Sequence, residues 1–220
     1  MSAKTQSQGI HLGKLPMLKP VLQKWIDLNR NLANEFILDK DVPWWYNERP
    51  HVSLLAGAIW QGKGWAFQEY GIERQIKQQR GVKYKAGRRD IDFRVADHYF
   101  TAEAKQCWPT LGRNRHLASA KVRDCLDIAC KEAAQYSLSG CWQLGLVFAT
   151  PRVPVSSKDE MDSLLWELLN EILGMPKVTV AWYFSRDEKI RFIRGTHEWS
   201  KIYFYPGIIL VARPVRILRR

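Results

Sequence analysis

The chain has 220 residues, of which 46% are hydrophobic and 25% charged. That balance predicts one globular domain with a full core and is short for two. No run of about 18 apolar residues is present, which excludes a hydropathic membrane span, and the polar stretch Met1–Lys14 is unlike a signal peptide. Lysine and arginine number 34 against 22 acidic residues, a net charge of +12 that favours a polyanionic partner through long-range attraction. Cys107, Cys125, Cys130 and Cys141 have no metal-ligand spacing, so reduced thiols in a cytoplasmic chain are expected.

In chain order, residues 1–17 read as a flexible arm. Leu22, Trp25, Ile26, Leu32, Phe36 and Ile37 carry helical periodicity over Pro20–Leu38. Asp41 to Pro50 reads as a proline-bounded loop whose Trp44, Trp45 and Tyr46 cover the edge of a core, with base stacking the alternative. A helix is predicted from Val52 to Gln61, broken by Gly62 and Gly64, and a longer one from Trp65 to Gln79. On that second helix Trp65, Ile72 and Ile76 form one stripe that also holds Glu69, with Glu73 at its margin. A carboxylate on a core-facing stripe is costly unless it is paired or binds a metal.

Gly81 ends this predicted helix, and Val82–Lys85 begins the strands. Asp90, Ile91, Asp92, Phe93, Arg94 and Val95 alternate, so the two aspartates share one face. After a turn near Asp97 and His98, the return strand Tyr99–Gln106 places Glu103 and Lys105 on one face and Ala102 and Ala104 on the other. Two residues of strand rise separate the Glu and the Lys by roughly 7 Å. Carboxylates facing an amine across neighbouring strands suit a hard divalent cation and the charge that builds up in phosphodiester hydrolysis. A loop with Arg113, Arg115 and His116 leads to a helix over Leu117–Tyr136, and Leu144–Ala149 reads as a strand buried on both faces. Ser157 to Glu160 has the form of a capping box that opens a helix to Leu173, closed by Gly174. Val178–Phe184, Ile190–Ile193, Lys201–Tyr205 and Ile208–Ala212 then read as strands. A second acidic-x-lysine sequence, Asp187-Glu188-Lys189, lies between two apolar runs and is read as a hairpin turn.

Asp92, ten residues and then Glu103-Ala104-Lys105 resembles the signature of the PD-(D/E)xK nuclease superfamily. The resemblance covers about residues 65–150 and implies an α/β restriction-endonuclease-like core (αβββαβ, a central mixed sheet flanked by helices). A helical N-terminal extension (18–61) and a C-terminal helix with strands (157–212) would elaborate it. It implies a metal-dependent nuclease, most simply a DNA endonuclease, using Mg²⁺ with Mn²⁺ able to substitute. Asp92, Glu103 and Glu69 would hold the metal, with Asp90 the alternative to Asp92 and Glu73 the alternative to Glu69. Lys105 would orient the attacking water or stabilise the transition state. The basic residues on both sides of the motif, Arg88, Arg89, Arg113, Arg115 and Lys121 among them, fit a groove for a phosphate backbone. With no DNA-reading domain recognisable, target choice would come from a partner protein or a homodimer in a defence, restriction or transposition system. The competing readings are a catalytically inactive nucleic-acid-binding module of the same fold, and an interaction protein that uses its aromatic surface.

Overall fold

Apolar side chains alternate along the central strands so that both faces of one sheet need covering, which dictates a three-layer α/β arrangement. The computed structural model describes residues 6–78, 81–112, 115–135, 140–197 and 201–217, without the side chains of 72–78, 81–86, 115, 196, 197, 201, 216 and 217. Among the described residues the main sheet has seven strands. From one edge to the other these are β1 (Gln8–His11), β7 (Thr179–Phe184), β10 (Gly207–Ile217), β5 (Trp142–Ala149), β4 (His98–Cys107), β3 (Gly81–Val95) and β2 (Trp65–Gln78). β4 and β5 are parallel and are joined through helix α3 (Arg115–Ala133). The remaining neighbours are antiparallel, so the sheet is mixed. A small second sheet holds β6 (Val153–Pro154), β9 (Lys201–Phe204) and β8 (Arg194–His197). No helix among the described residues is long and apolar enough to cross a membrane.

One sheet face presents Ile91, Phe93, Ala102, Ala104, Leu144, Leu146 and Phe148 to helices α1 (Lys19–Glu35) and α2 (Glu48–Gln61). On the other face, Val147, Ala149, Val180 and Val211 meet α3 and α4 (Met161–Leu173). The helices follow their sequence pattern: Val21, Leu22, Trp25 and Ile26 form the buried stripe of α1. α3 approaches β5 closely because position 145 has no side chain; a Cβ there would lie 2.5 Å from Cys130 Sγ and 2.7 Å from its backbone nitrogen.

The structure corrects several expectations. Residues 65–78 form strand β2, not a helix. Spacings of four and seven among Trp65, Ile72 and Ile76 satisfy a helix, but Gly71 weakens one and Trp65, Phe67, Tyr70 and Ile72 are strand formers. β2 is an edge strand with Phe67 61% exposed, so burial imposes no strict two-residue period on it. The helix that precedes the three-strand meander is α2. The expected N-terminal arm contains β1, which pairs with β7, and the fully buried Leu15. Ser157 closes a short 3-10 turn, and α4 starts after Glu160 with no side-chain cap. The expected strand at Ile190 is instead the short helix α5 (Glu188–Arg191), with Asp187 as its N-cap.

Two outcomes follow from this packing. Gly145→Ala should cost about 1–3 kcal/mol in chemical denaturation, because a backbone atom of α3 blocks the new methyl group. Gly57→Ala, whose Cβ would have its nearest neighbour at 3.8 Å, should cost nothing. His51, fully buried in α2 and stacked on Phe148 at 5.2 Å, has its pKa lowered to about 4, chiefly by burial. Backbone carbonyls of Tyr46 and Trp44 offset a part of this without reaching hydrogen-bond geometry. Below the ordinary value of 6.5 the unfolded chain takes up a proton that the folded state refuses until about pH 4. Stability should therefore fall through that window by up to about 1.4 kcal/mol per pH unit. The difference between wild type and His51→Leu in denaturation midpoints across pH should isolate this slope.

Candidate active site

β3 and β4 pair in the order Val95–His98, Arg94–Tyr99, Phe93–Phe100, Asp92–Thr101 and Ile91–Ala102, and there the ladder stops. Beyond it β4 continues alongside β5, Glu103 beside Gly145 and Lys105 beside Val147. The other edge of β4 is left with backbone N–H groups that require acceptors. Side-chain carboxylates supply them. The Ala104 N–H donates to Asp90 Oδ2 at 2.8 Å, and the Gln106 N–H donates to the carboxylate of Glu48. Glu48 is the first residue of α2. Residues from a strand and a helix are thus hung on consecutive outward-facing amides of a third element.

Glu103 and Lys105 alternate with Ala102 and Ala104, which lie in the apolar cluster under α2, so both face α3. Glu103 is 2% exposed. Lys105 Nζ lies 2.7 Å from Glu132 Oε2 on α3. Burial alone would pull the Lys105 ammonium down, but Glu132, helped by Glu48 and Asp90, holds its pKa above the usual lysine value. Glu48 is pushed up by burial and by the neighbouring Asp90; Lys105 and the Gln106 N–H pull it back, and Glu132 adds to the rise. Three carboxylates therefore share one ammonium in a half-buried setting, with Glu103 on the same strand face. Such a group can orient water and place an amine against an anion. Among the described residues, no three His, Cys, Asp or Glu side chains converge closely enough to surround one ion.

Asp92 sits in a different cluster. Its Oδ2 accepts from Arg89 at 2.5 Å and from the Tyr70 hydroxyl, and Arg89 also donates to that hydroxyl at 2.9 Å. Arg89 is 8% exposed and lies over the Tyr70 ring. Burial, then Asp92, pushes the Tyr70 phenol up to about 12, and the Cys141 thiol rises to about 11 for the same two reasons. Asp92 Oδ1 is buried without a hydrogen-bond partner among the described residues.

Of the predicted residues, Glu103, Lys105 and the alternative aspartate Asp90 come together. Glu69 is on strand β2, not on a helix; it adopts a left-handed φ of 50° and is held by Arg49 at 2.9 Å and by Arg88. Glu73 has no described side chain. Arg88 is thus engaged with Glu69, and Arg89 is turned inward on Asp92. Lys121 is exposed and donates to the Trp108 carbonyl at 3.3 Å. Arg113 and the side chain of Arg115 lie outside the described residues. In the second acidic-x-lysine sequence, Asp187 accepts from the Lys189 N–H at 2.8 Å, capping α5. All four cysteines are free. At the end of β4, the hydrogen bond between the Cys107 and Cys125 thiols raises the pKa of Cys107, with burial adding to the rise, and lowers that of Cys125 on α3 to about 7.

Two residues of this cluster, Glu48 and Glu132, are absent from the sequence reading. Asn47-Glu48-Arg49-Pro50 has the form of a helix start, with an N-cap type followed by an acid and a first-turn proline. Taking Pro50 as the end of a loop concealed it. Glu132 falls between the inner-face residues Ala129 and Ala133 of α3, and nothing local marks it.

No protein-family model, curated protein or solved structure matches this chain.

The charge balance at Lys105 is directly measurable. In Glu132→Gln the carboxylate that offsets burial is gone, so the Lys105 pKa should fall below its wild-type value. An NMR titration of ¹⁵N-labelled lysine would check this, with Lys189 as the reference signal.

Proposed function

We propose that this protein is a metal-dependent nuclease, hydrolysing phosphodiester bonds of DNA on a restriction-endonuclease-like core. The observation that carries the reading is the pair of carboxylates, Asp90 and Glu48, seated on the freed N–H groups of Ala104 and Gln106 beside Lys105. The element order α2, β2, β3, β4, α3, β5 supports it, since it follows the αβββαβ pattern with the motif on the second and third strands.

The donors are hard carboxylate oxygens, the type that Mg²⁺ prefers, and Mg²⁺ keeps several waters beside the few it takes. Asp90, Glu103 and Glu48 do not converge on one point in this structure, so at most two of them would touch an ion directly and the third would act through water. In this assignment Asp90 takes the place first given to Asp92, and Glu48 replaces Glu69. When bound, the ion would acidify a water molecule and polarise the scissile phosphate. Lys105, kept charged by Glu132, points its ammonium at the charge that develops on the phosphoryl oxygens. A donor of this kind is worth roughly 10²–10³ in rate. Glu132 holds the amine in place until an anion competes for it. Arg89, Tyr70 and Asp92 brace β3 against β2, so that Asp90 stays on its amide. Target choice belongs to a partner protein or a second copy.

The deciding experiment is a cleavage assay on plasmid, linear duplex, single-stranded DNA and RNA in Mg²⁺, Mn²⁺ and EDTA. Lys105→Ala should lose at least about 10²-fold in rate while keeping its fold, and Lys189→Ala should match wild type. Glu48→Gln should lose more than Glu69→Gln, and Asp90→Asn more than Asp92→Asn. The reverse order in either pair would return the site to the residues first read from the sequence. Binding without cutting on every substrate would favour an inactive nucleic-acid-binding module of the same architecture.

A further inference from the structure

β2 and β3 pair in one register from Trp65–Arg94 to Gln78–Gly81, interrupted only at Glu69 and Asp90, yet β4 accompanies β3 only over Ile91–Val95. From Tyr70–Arg89 outward, nine residue pairs therefore form a two-stranded ribbon that runs past the third strand. At strand rise it extends about 25–30 Å. A hairpin of this length with no third strand paired to it among the described residues is marginal by itself.

Its sequence explains what it carries. Between residues 72 and 86 stand Arg74, Lys77, Arg80, Lys83 and Lys85 against the single acid Glu73. The register puts Arg74 opposite Lys85, and Ile76 opposite Lys83. Directly opposed like charges weaken a ladder. By strand alternation, the positions paired 72–87, 74–85, 76–83 and 78–81 share one face of the ribbon. That face holds three cationic positions and no acid, whereas Glu73 belongs to the other. Repulsion of this kind is relieved by a polyanion laid along the ribbon.

We infer that the β2–β3 ribbon is the duplex-binding arm of the protein, inserted into a groove of double-stranded DNA, with the face that holds positions 74, 83 and 85 turned to the phosphate backbone. The inference deepens the nuclease reading and rests on it for the chemistry. The major groove, about 12 Å wide, admits a two-stranded ribbon, and this one is rooted in the strand that bears Asp90. The arm thus binds the substrate whose backbone the Lys105 cluster would cut. Cationic side chains on phosphates position a duplex without reading its sequence, consistent with target choice made elsewhere.

The test is fluorescence anisotropy in EDTA with a labelled duplex of about 30 base pairs and the matching single strand, over a salt series. Arg74→Gln/Lys83→Gln/Lys85→Gln should bind the duplex at least about tenfold more weakly and flatten its log K against log salt slope by about 2–3. Lys19→Gln/Lys24→Gln/Lys189→Gln removes the same charge elsewhere and should change affinity less than about threefold. A second variant replaces residues 74–85 by Asn-Gly, joining the paired positions Glu73 and Ala86 through a two-residue turn; it should reproduce the loss with the body of the protein folded by circular dichroism. Equal behaviour of the ribbon and control triples, or tighter wild-type binding to the single strand, overturns the inference. Metal-dependent cutting of a single-stranded oligonucleotide keeps the two readings separate. If wild type cuts it and the ribbon proves irrelevant to duplex binding, the nuclease survives and the arm does not. If wild type neither cuts nor binds any nucleic acid, both fall.

Discussion

The parting of β3 from β4 beyond Ile91 and Ala102 is the constraint on which the rest of the structure depends. A strand that loses its neighbour must satisfy its amides some other way, and water is the usual answer. Here the acceptors are Asp90 and Glu48. Each carboxylate is fixed by the backbone of a buried strand, so its position follows from the ladder and not from side-chain freedom. The same divergence releases the outer halves of β2 and β3 as a separate ribbon. One topological event thereby creates both the charged cluster and the arm beside it.

What maintains the cluster is a balance of costs. Burial disfavours every charge in it, and mutual repulsion raises Glu48 further. Lys105 offsets part of this and is itself restored by Glu132 from α3. That contact depends on how close α3 comes to the sheet, which the absence of a side chain at Gly145 sets. Below the sheet, α2 is anchored by Val52, Leu55 and Ile59, and its first turn brings Glu48 to the rim. The polar cluster is therefore a consequence of apolar packing on both faces. The net charge of +12 favours polyanions by long-range attraction.

A second charged group, Arg89 with Tyr70 and Asp92, shows how ambiguous a periodic motif can be. Asp90 and Asp92 are equivalent by strand alternation. Arg89, an apparent surface cation in the sequence, is turned inward and engages one of them, while the free edge of β4 engages the other. The acidic-x-lysine sequence at Asp187 is similarly resolved by its surroundings, as the cap of a one-turn helix.

The mixed α/β class, the Glu103–Lys105 pairing on one face of a strand and the buried run of β5 were all legible in the sequence. These are local properties, governed by the two-residue period of a strand and by apolar runs that only a covered sheet can bury. The edge strand β2 was not legible, because a strand exposed at the rim has no burial pattern to distinguish it from a helix with the same apolar spacing. β1 was equally hidden, since its partner strand lies more than 150 residues away along the chain. Glu48 and Glu132 joined the site by the same route. The amino-acid order determined which groups can ionise and which face of its own element each occupies; only the tertiary structure decided which of them meet, because that depends on where two strands diverge and how near a distant helix can pack.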